Sequence, residues 1–358
     1  MRIAVLGGGH GAYAAAADLS EKGHEIRLWR RDAAAFAPVL ETRVIRMRDL
    51  DGVRDASIAV PTTDIGVAVR GAELILIPSP ASAQPDIATA IAPHLENGQV
   101  VFLPPGTFGA YIMDRIARKT GCRAEVTYAE TGTLPYLARK RPTGEVAITI
   151  RAKRLPTGAY PAKRAAYARD VIAKAYPAIE PCEDALSAAL LNAGPIIHPP
   201  LILLNAGPLQ HFENWDIHNE GTQPAVRAVT DALDAERVAI REALGYRAPH
   251  FPLSDHYNSD RWMYGDAHQR LVDSGDWREH IDLHQHRYMT EDIVLGLAFL
   301  DSVATWVSCD APIASGLLAV AGAILGRNLR DGPRTLGALS LYAKTPEQMK
   351  EVLWEGEQ

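Results

Sequence analysis

Apolar residues run along this chain in two rhythms. In the first half they come as short blocks bounded by glycine, proline or charge, at residues 2–6, 25–29, 74–77 and 100–103, and these predict buried strands. Further strand signals lie at 124–128 and 145–150. Between the first two blocks, residues 10–22 are alanine-rich with high helix propensity, and Gly23 stands where a helix C-terminal glycine belongs. Strands alternating with helices predict a parallel, doubly wound sheet. Beyond about residue 183 the rhythm changes. Residues 186–204, 226–244, 293–307 and 312–325 are longer, rich in Ala and Leu, and predict helices with almost no strand signal between them. The expected organisation is an α/β domain over 1–182 and an all-α domain over 183–358, divided near Pro177 and Pro181. A cleft between two such domains is a common place for a ligand site.

Composition narrows this picture. Hydrophobic residues make up 47% and charged residues 22%, enough for a full core in each domain. The apolar stretches 186–206 and 293–325 are interrupted by Pro195, His198, Pro199 and Pro200, and by Asp301, Asp310 and Pro312. They therefore read as buried helices rather than membrane spans. A net charge of −6 provides no basic footprint for nucleic acid. The three cysteines form no CxxC pair, and residues 1–9 lack a signal-peptide cleavage pattern, so a reducing, cytoplasmic setting is expected.

The first chemical motif is Gly7-Gly8-Gly9-His10-Gly11-Ala12, which fits G-x-G-x-x-A between a predicted strand and a predicted helix. Gly7 would allow the tight turn, Gly9 the approach of a pyrophosphate, and Ala12 close helix–strand packing. His10 and Gly11 belong to the helix start, whose amides and dipole favour phosphate. This is the dinucleotide-binding turn of a Rossmann domain. An NAD site usually has Asp or Glu after the second strand, but this chain has Arg30 and Arg31. A guanidinium suits a 2′-phosphate, so NADP is favoured over NAD. The competing reading is that an arginine stacks on adenine or faces solvent while Asp32 holds the ribose.

A dehydrogenase also needs a proton donor and acceptor. No lysine occurs between Lys174 and Lys344, so histidine leads in the helical half. His198 lies inside an apolar stretch, followed by two prolines expected to interrupt or kink the helix. Its bland reading is a hydrogen-bonded core histidine. Asp292 precedes the predicted helix at 293 and reads either as a helix cap or as the carboxylate that orients His198. Arg287 reads either as a clamp for a substrate carboxylate or as one half of a surface ion pair. Six histidines lie between His250 and His286. His280 and His284 are spaced like metal ligands on a helix, yet no cysteine or HExxH accompanies them and no metal is expected. Trp262, Tyr264 and Trp277 suggest a loop over the cleft.

The sequence resembles the opine dehydrogenases of the octopine/nopaline dehydrogenase group over nearly its whole length. The resemblance rests on GGGHGA, AETGTLPYLARK (129–140), NAGPIIHPPLILLNAG (192–207), EGTQPAV (220–226) and HRYMTEDIVLGL (286–297). It implies NAD(P)H-dependent joining of an amino acid to a 2-oxo acid. It places the family's catalytic histidine and aspartate on His198 and Asp292 and the oxo-acid arginine on Arg287. Glu130 falls in a segment near the amino-acid substrate. The expected partners are these small molecules, with no nucleic acid or membrane; a homodimer is compatible with the sequence. Two other readings compete: a 2-oxo-acid or β-hydroxyacid reductase of similar architecture, and a non-catalytic NADP(H) sensor.

Overall fold

The structure is a computed structural model that describes the chain except residues 142–143, 256–258, 266, 268, 271–272, 274–279 and 358. It divides into two units. The first comprises Met1–Ala189, Met263–Arg270 and Val352–Gln358, and the second Leu190–Trp262 and Leu271–Glu351. The division falls after residue 189 rather than 182, and two later segments return to the first unit. A single cut along the sequence could not express that return.

The first unit contains β1 (Arg2–Leu6), β2 (Glu25–Trp29), β3 (Val44–Asp49), β4 (Gly52–Ser57), β5 (Val60–Thr62), β6 (Leu74–Leu76), β7 (Val100–Leu103), β8 (Thr127–Thr131), β9 (Tyr136–Lys140), β10 (Glu145–Arg151), β11 (Leu155–Tyr160) and β12 (Ile179–Pro181). Eight strands pair in the order β12-β11-β8-β7-β6-β1-β2-β5. All neighbours in that sheet are parallel except β8 and β11. The order reverses beside β1, and the carboxyl end of a strand at such a switch is where a nucleotide fits. The strand expected at 124–128 lies three residues later, as β8.

A second sheet, β4-β3-β10-β9, was not foreseen. Its strand β10 falls on the strand signal at 145–150, which the sequence alone assigns to no sheet. The helix α1 (His10–Glu21) touches β1 and β2 of the large sheet and all four strands of the small one. Every residue from Ala12 to Leu19 is consequently buried. This explains the alanine run: small side chains let two sheets approach one helix, whereas a one-sided surface helix would show a polar face.

Charge fixes the small sheet to α1. Asp18 accepts from Lys22 Nζ (2.7 Å), Tyr136 Oη (2.7 Å) and Arg151 Nε (2.8 Å). Arg151 Nη2 continues to Asp49 Oδ2 (2.6 Å), and Arg54 grips both oxygens of Asp49 (2.7 and 3.0 Å). Hydrogen bonds from Arg54, and then from Arg151, hold the Asp49 carboxyl far below the usual carboxylate range despite its burial. Burial alone would raise Asp18, but Lys22, Arg151 and Tyr136 together hold it below its ordinary value.

The second unit is helical among its described residues. Gly194–Leu204, Ala206–His211 and Pro224–Ala243 come first; a π-helix, Tyr288–Leu297, then runs into Ala298–Trp306, followed by Pro312–Leu325. The helix expected at 186–204 is two pieces, Ala185–Ala189 and Gly194–Leu204, one in each unit. Buried Arg237 donates to Asp234 (2.7 Å), to the Leu190 carbonyl (3.2 Å) and to the Phe251 carbonyl (3.1 Å). It thereby anchors the chain just ahead of His198.

A carboxyl depressed by folding stabilises above its unfolded pKa of about 3.9, and that contribution is lost as pH falls through the folded value. The melting temperature should therefore drop as pH is lowered below about 4, and Asp49→Asn should flatten that drop. Circular dichroism melts across the acid range measure both. An acid dependence identical in the variant would refute a role for Asp49.

Candidate active site and cofactor turn

In the first unit, the turn after β1 is shaped for a phosphate. Gly7 has φ +147°, and a Cβ there would lie 2.9 Å from Ser79 Oγ, so glycine is required. A Cβ at Gly9 would meet nothing within 4 Å, which leaves open space in front of the α1 amino terminus. No side chain caps that terminus and no carboxylate occupies its first turn. Ala12 packs against Gly7, and Gly11 against Pro78. These residues fit a dinucleotide pyrophosphate, which the uncapped amides would hold. His10 does other work as well: its Nδ1 accepts the Lys140 amide (2.8 Å), tying the turn to β9. Arg30 lies against Gly8 and donates to the Ala35 carbonyl (2.9 Å), while Arg31 is exposed. Asp32 Oδ1 accepts the Ala35 amide (3.0 Å) and so serves the next turn of chain.

Glu130 is fully buried on β8. Its Oε1 accepts the Phe108 amide (2.8 Å) and its Oε2 the Ala110 amide (2.7 Å). Thr107 and Phe108 both have positive φ, 55° and 63°, a costly conformation for residues with a Cβ. The carboxylate secures that turn and the start of the helix Gly109–Lys119. This corrects the expectation that Glu130 contacts a substrate: both oxygens serve backbone amides and no surface is accessible.

In the second unit the sequence candidates do meet. His198 Nδ1 lies 2.7 Å from Asp292 Oδ2, with the histidine side chain 17% and the aspartate 5% exposed. An ionised carboxylate only accepts, so Nδ1 carries the proton and Nε2 carries the lone pair. Nε2 has no protein partner among the described residues. The helix Gly194–Leu204 continues through Pro199 and Pro200 instead of breaking there. Both rings are buried, and their packing holds the segment helical despite two missing donors.

Asp292 does not cap a helix. The helix expected from 293 begins at Tyr288 as a π-helix, which places Asp292 in its middle and turns its side chain toward His198. The approach is close because two glycines permit it. A Cβ on Gly194 would fall 2.4 Å from Asp292 Oδ1, and one on Gly296 would fall 2.2 Å from Pro195 Cγ. Arg287 precedes the π-helix and is half exposed, with Nε 3.5 Å from Glu291 Oε2.

Sequence reasoning missed the residues around this pair. The Tyr288 ring stacks on His198 with centroids 3.6 Å apart and planes 13° from parallel. Its hydroxyl meets His218 Nε2 at 3.3 Å, and His286 packs edge-on at 4.3 Å. The signal available was Tyr288 four residues before Asp292 inside one helical segment. His280 and His284 lie on non-helical, exposed chain, so their spacing does not make them face one another. Among the described residues no group of three His, Cys, Asp or Glu could hold a metal ion. Trp262 and Tyr264 do lie on a loop and are buried, with Tyr264 Oη donating to the Leu134 carbonyl (3.0 Å). Trp277 lies outside the described residues.

Comparison with known proteins matches two family models to different parts of the chain. Residues 2–105 match the profile of the NAD-dependent glycerol-3-phosphate dehydrogenase N-terminus. Residues 181–325 match that of the NAD/NADP octopine/nopaline dehydrogenase α-helical domain. Opine dehydrogenase of Arthrobacter sp. (strain 1C) is 29% identical over 98% of both chains. The chain thus carries the octopine/nopaline dehydrogenase α-helical domain over residues 181–325 and is similar to an opine dehydrogenase along nearly its whole length.

Solved structures share its fold at low identity. Octopine dehydrogenase in complex with NADH and agmatine superposes with a TM-score of 0.72 at 17% identity, covering 99% of this chain and 98% of that one. Yersinopine dehydrogenase with NADP+ bound gives 0.66 at 16% identity, with the same coverage. With these matches over both units, the chain is an NAD(P)-dependent oxidoreductase.

The glycine contact yields a test. Gly194→Ala should displace Asp292 from His198 and lower turnover by about tenfold to a hundredfold, with nucleotide affinity unchanged. Steady-state kinetics and a nucleotide titration measure the two effects. Full turnover in a folded variant would show that the close approach is dispensable.

Proposed function

We propose that this chain is an opine dehydrogenase that uses NADPH to join the amino group of an amino acid to the 2-oxo carbon of an oxo acid, or catalyses the reverse oxidation. The observation that carries this reading is the His198–Asp292 pair with Nε2 left open. A bound nicotinamide dinucleotide would supply or accept the hydride at the C=N carbon.

The proton work falls to the chain's own side chains. An amine joins a 2-oxo carbon through a carbinolamine, and water must leave to form the imine. His198 Nε2 takes a proton from the ammonium, which frees the amine to attack, and returns it to the departing hydroxyl. Asp292 keeps the proton on Nδ1 and stabilises the imidazolium between those two events. Tyr288, stacked on the ring, limits its rotation. Arg287 holds the oxo-acid carboxylate. Its guanidinium is half exposed and only 3.5 Å from Glu291 Oε2 through Nε, which suits a bidentate grip on an incoming carboxylate.

The charges after β2 support NADPH as the reductant. Arg30 and Arg31 replace the carboxylate of a typical NAD site, and Asp32 is engaged with a backbone amide.

His198→Ala should lower amine-dependent NADPH oxidation by about 10²–10⁴ while nucleotide affinity stays within about twofold. Spectrophotometric assays over pairs of amino acids and 2-oxo acids measure this, each run with and without the amine. Oxidation that proceeds equally without amine would replace the opine reading with simple 2-oxo-acid reduction. Undiminished turnover in the variant would remove His198 from the mechanism.

A further inference from the structure

Lys140 ends β9 in the small sheet, yet its side chain reaches the cofactor turn of the large one. Its Nζ donates to the Gly8 carbonyl (3.3 Å) and lies over the Tyr13 ring, 4.5 Å from the centroid. Arg30 reaches the same turn from the end of β2. It lies against the Cα of Gly8, and its Nη1 contacts Tyr13 Oη (3.4 Å). Two cations thus converge on the same glycine and the same tyrosine. Neither has a carboxylate within ion-pair distance among the described residues. Partial burial, followed by the charge of Arg30, lowers the Lys140 ammonium from its ordinary pKa, with Asp32 only partly opposing. Like charges held together without a counterion cost stability unless an anion joins them.

The position identifies the anion. Residues just past β2 in this fold face the adenosine ribose, while the pyrophosphate takes the α1 amino terminus. Arg30 directly follows β2. From this geometry we infer that Lys140 and Arg30 together bind the 2′-phosphate of the adenosine ribose, making Lys140 a specificity-determining residue supplied by the small sheet. This rests on the NADPH reading above. It also makes the small sheet part of the cofactor site. His10 and the Asp18–Arg151 pair tie that sheet to α1, so the lysine is delivered to a fixed place.

Binding of nucleotide fragments, with no turnover required, decides the matter. Adenosine 2′,5′-bisphosphate and 5′-AMP compete with NADPH, followed through its fluorescence, on the wild type, Lys140→Met and Lys140→Arg. Loss of one charge-assisted contact should weaken the bisphosphate by about tenfold or more in Lys140→Met and leave 5′-AMP within about twofold. Lys140→Arg should restore most of the loss. If the wild type binds the two probes equally, the NADPH reading fails and this assignment falls with it. If the wild type discriminates and Lys140→Met discriminates as well as it does, Lys140 is not a determinant and the NADPH reading stands. An equal loss for both probes would place the lysine's effect on the turn itself and overturn the assignment.

Discussion

A carboxylate enclosed in a helical core needs a partner that donates to it, and for Asp292 that partner is His198. Much of the local architecture of the second unit follows from this one bond. It requires a glycine at 194, because any side chain there would occupy the space of the aspartate oxygen. It requires the π-helical stretch that brings Asp292 inward, and a second glycine at 296 so that the two helices can approach. Arg237, buried with Asp234, fixes the chain entering the His198 helix. The open Nε2 is the product of these constraints: one ring nitrogen is committed so that the other is available.

The cofactor unit follows a similar logic with a different material. Its central helix has no polar face because two sheets cover it, and its one buried charge, Asp18, is used to hold the second sheet. The glycine turn, the reversal of strand order beside β1 and the open space at Gly9 all lie at the carboxyl end of β1. The cations near the turn come from distant parts of the chain, Arg30 from the end of β2 and Lys140 from the end of β9.

Where local signals dominate, the sequence was readable. Strands β1, β6 and β7 are buried almost throughout and announce themselves as apolar blocks, and Pro312–Leu325 falls where its periodicity placed it. The glycine turn and the pairing of His198 with Asp292 were also visible, the latter helped by resemblance. The second sheet was hidden because β3 alternates apolar residues with charge and β4 buries only Ala56, so neither forms an apolar block. The turn between them is Leu50-Asp51, and the Asp51-Gly52 dipeptide that closes it is a hairpin signal that could have revealed it. Glu130 misled because its role is set by two strained residues more than twenty positions upstream, which no local pattern records. The π-helix was missed for a related reason. Its five-residue hydrogen-bond spacing is chosen by packing against the His198 helix rather than by its own residues.

That wider turn has a further consequence for how this active site tolerates change. A π-helical segment is an α-helix carrying surplus residues, and each residue of an α-helix turns the chain by roughly 100°. Removing one residue between Tyr288 and Leu297 would let the stretch relax into ordinary helix while rotating Asp292 relative to Ala298–Trp306. The fold would survive such a deletion more readily than the pair would. Length along this segment is therefore as much a catalytic trait as the identity of the aspartate it carries.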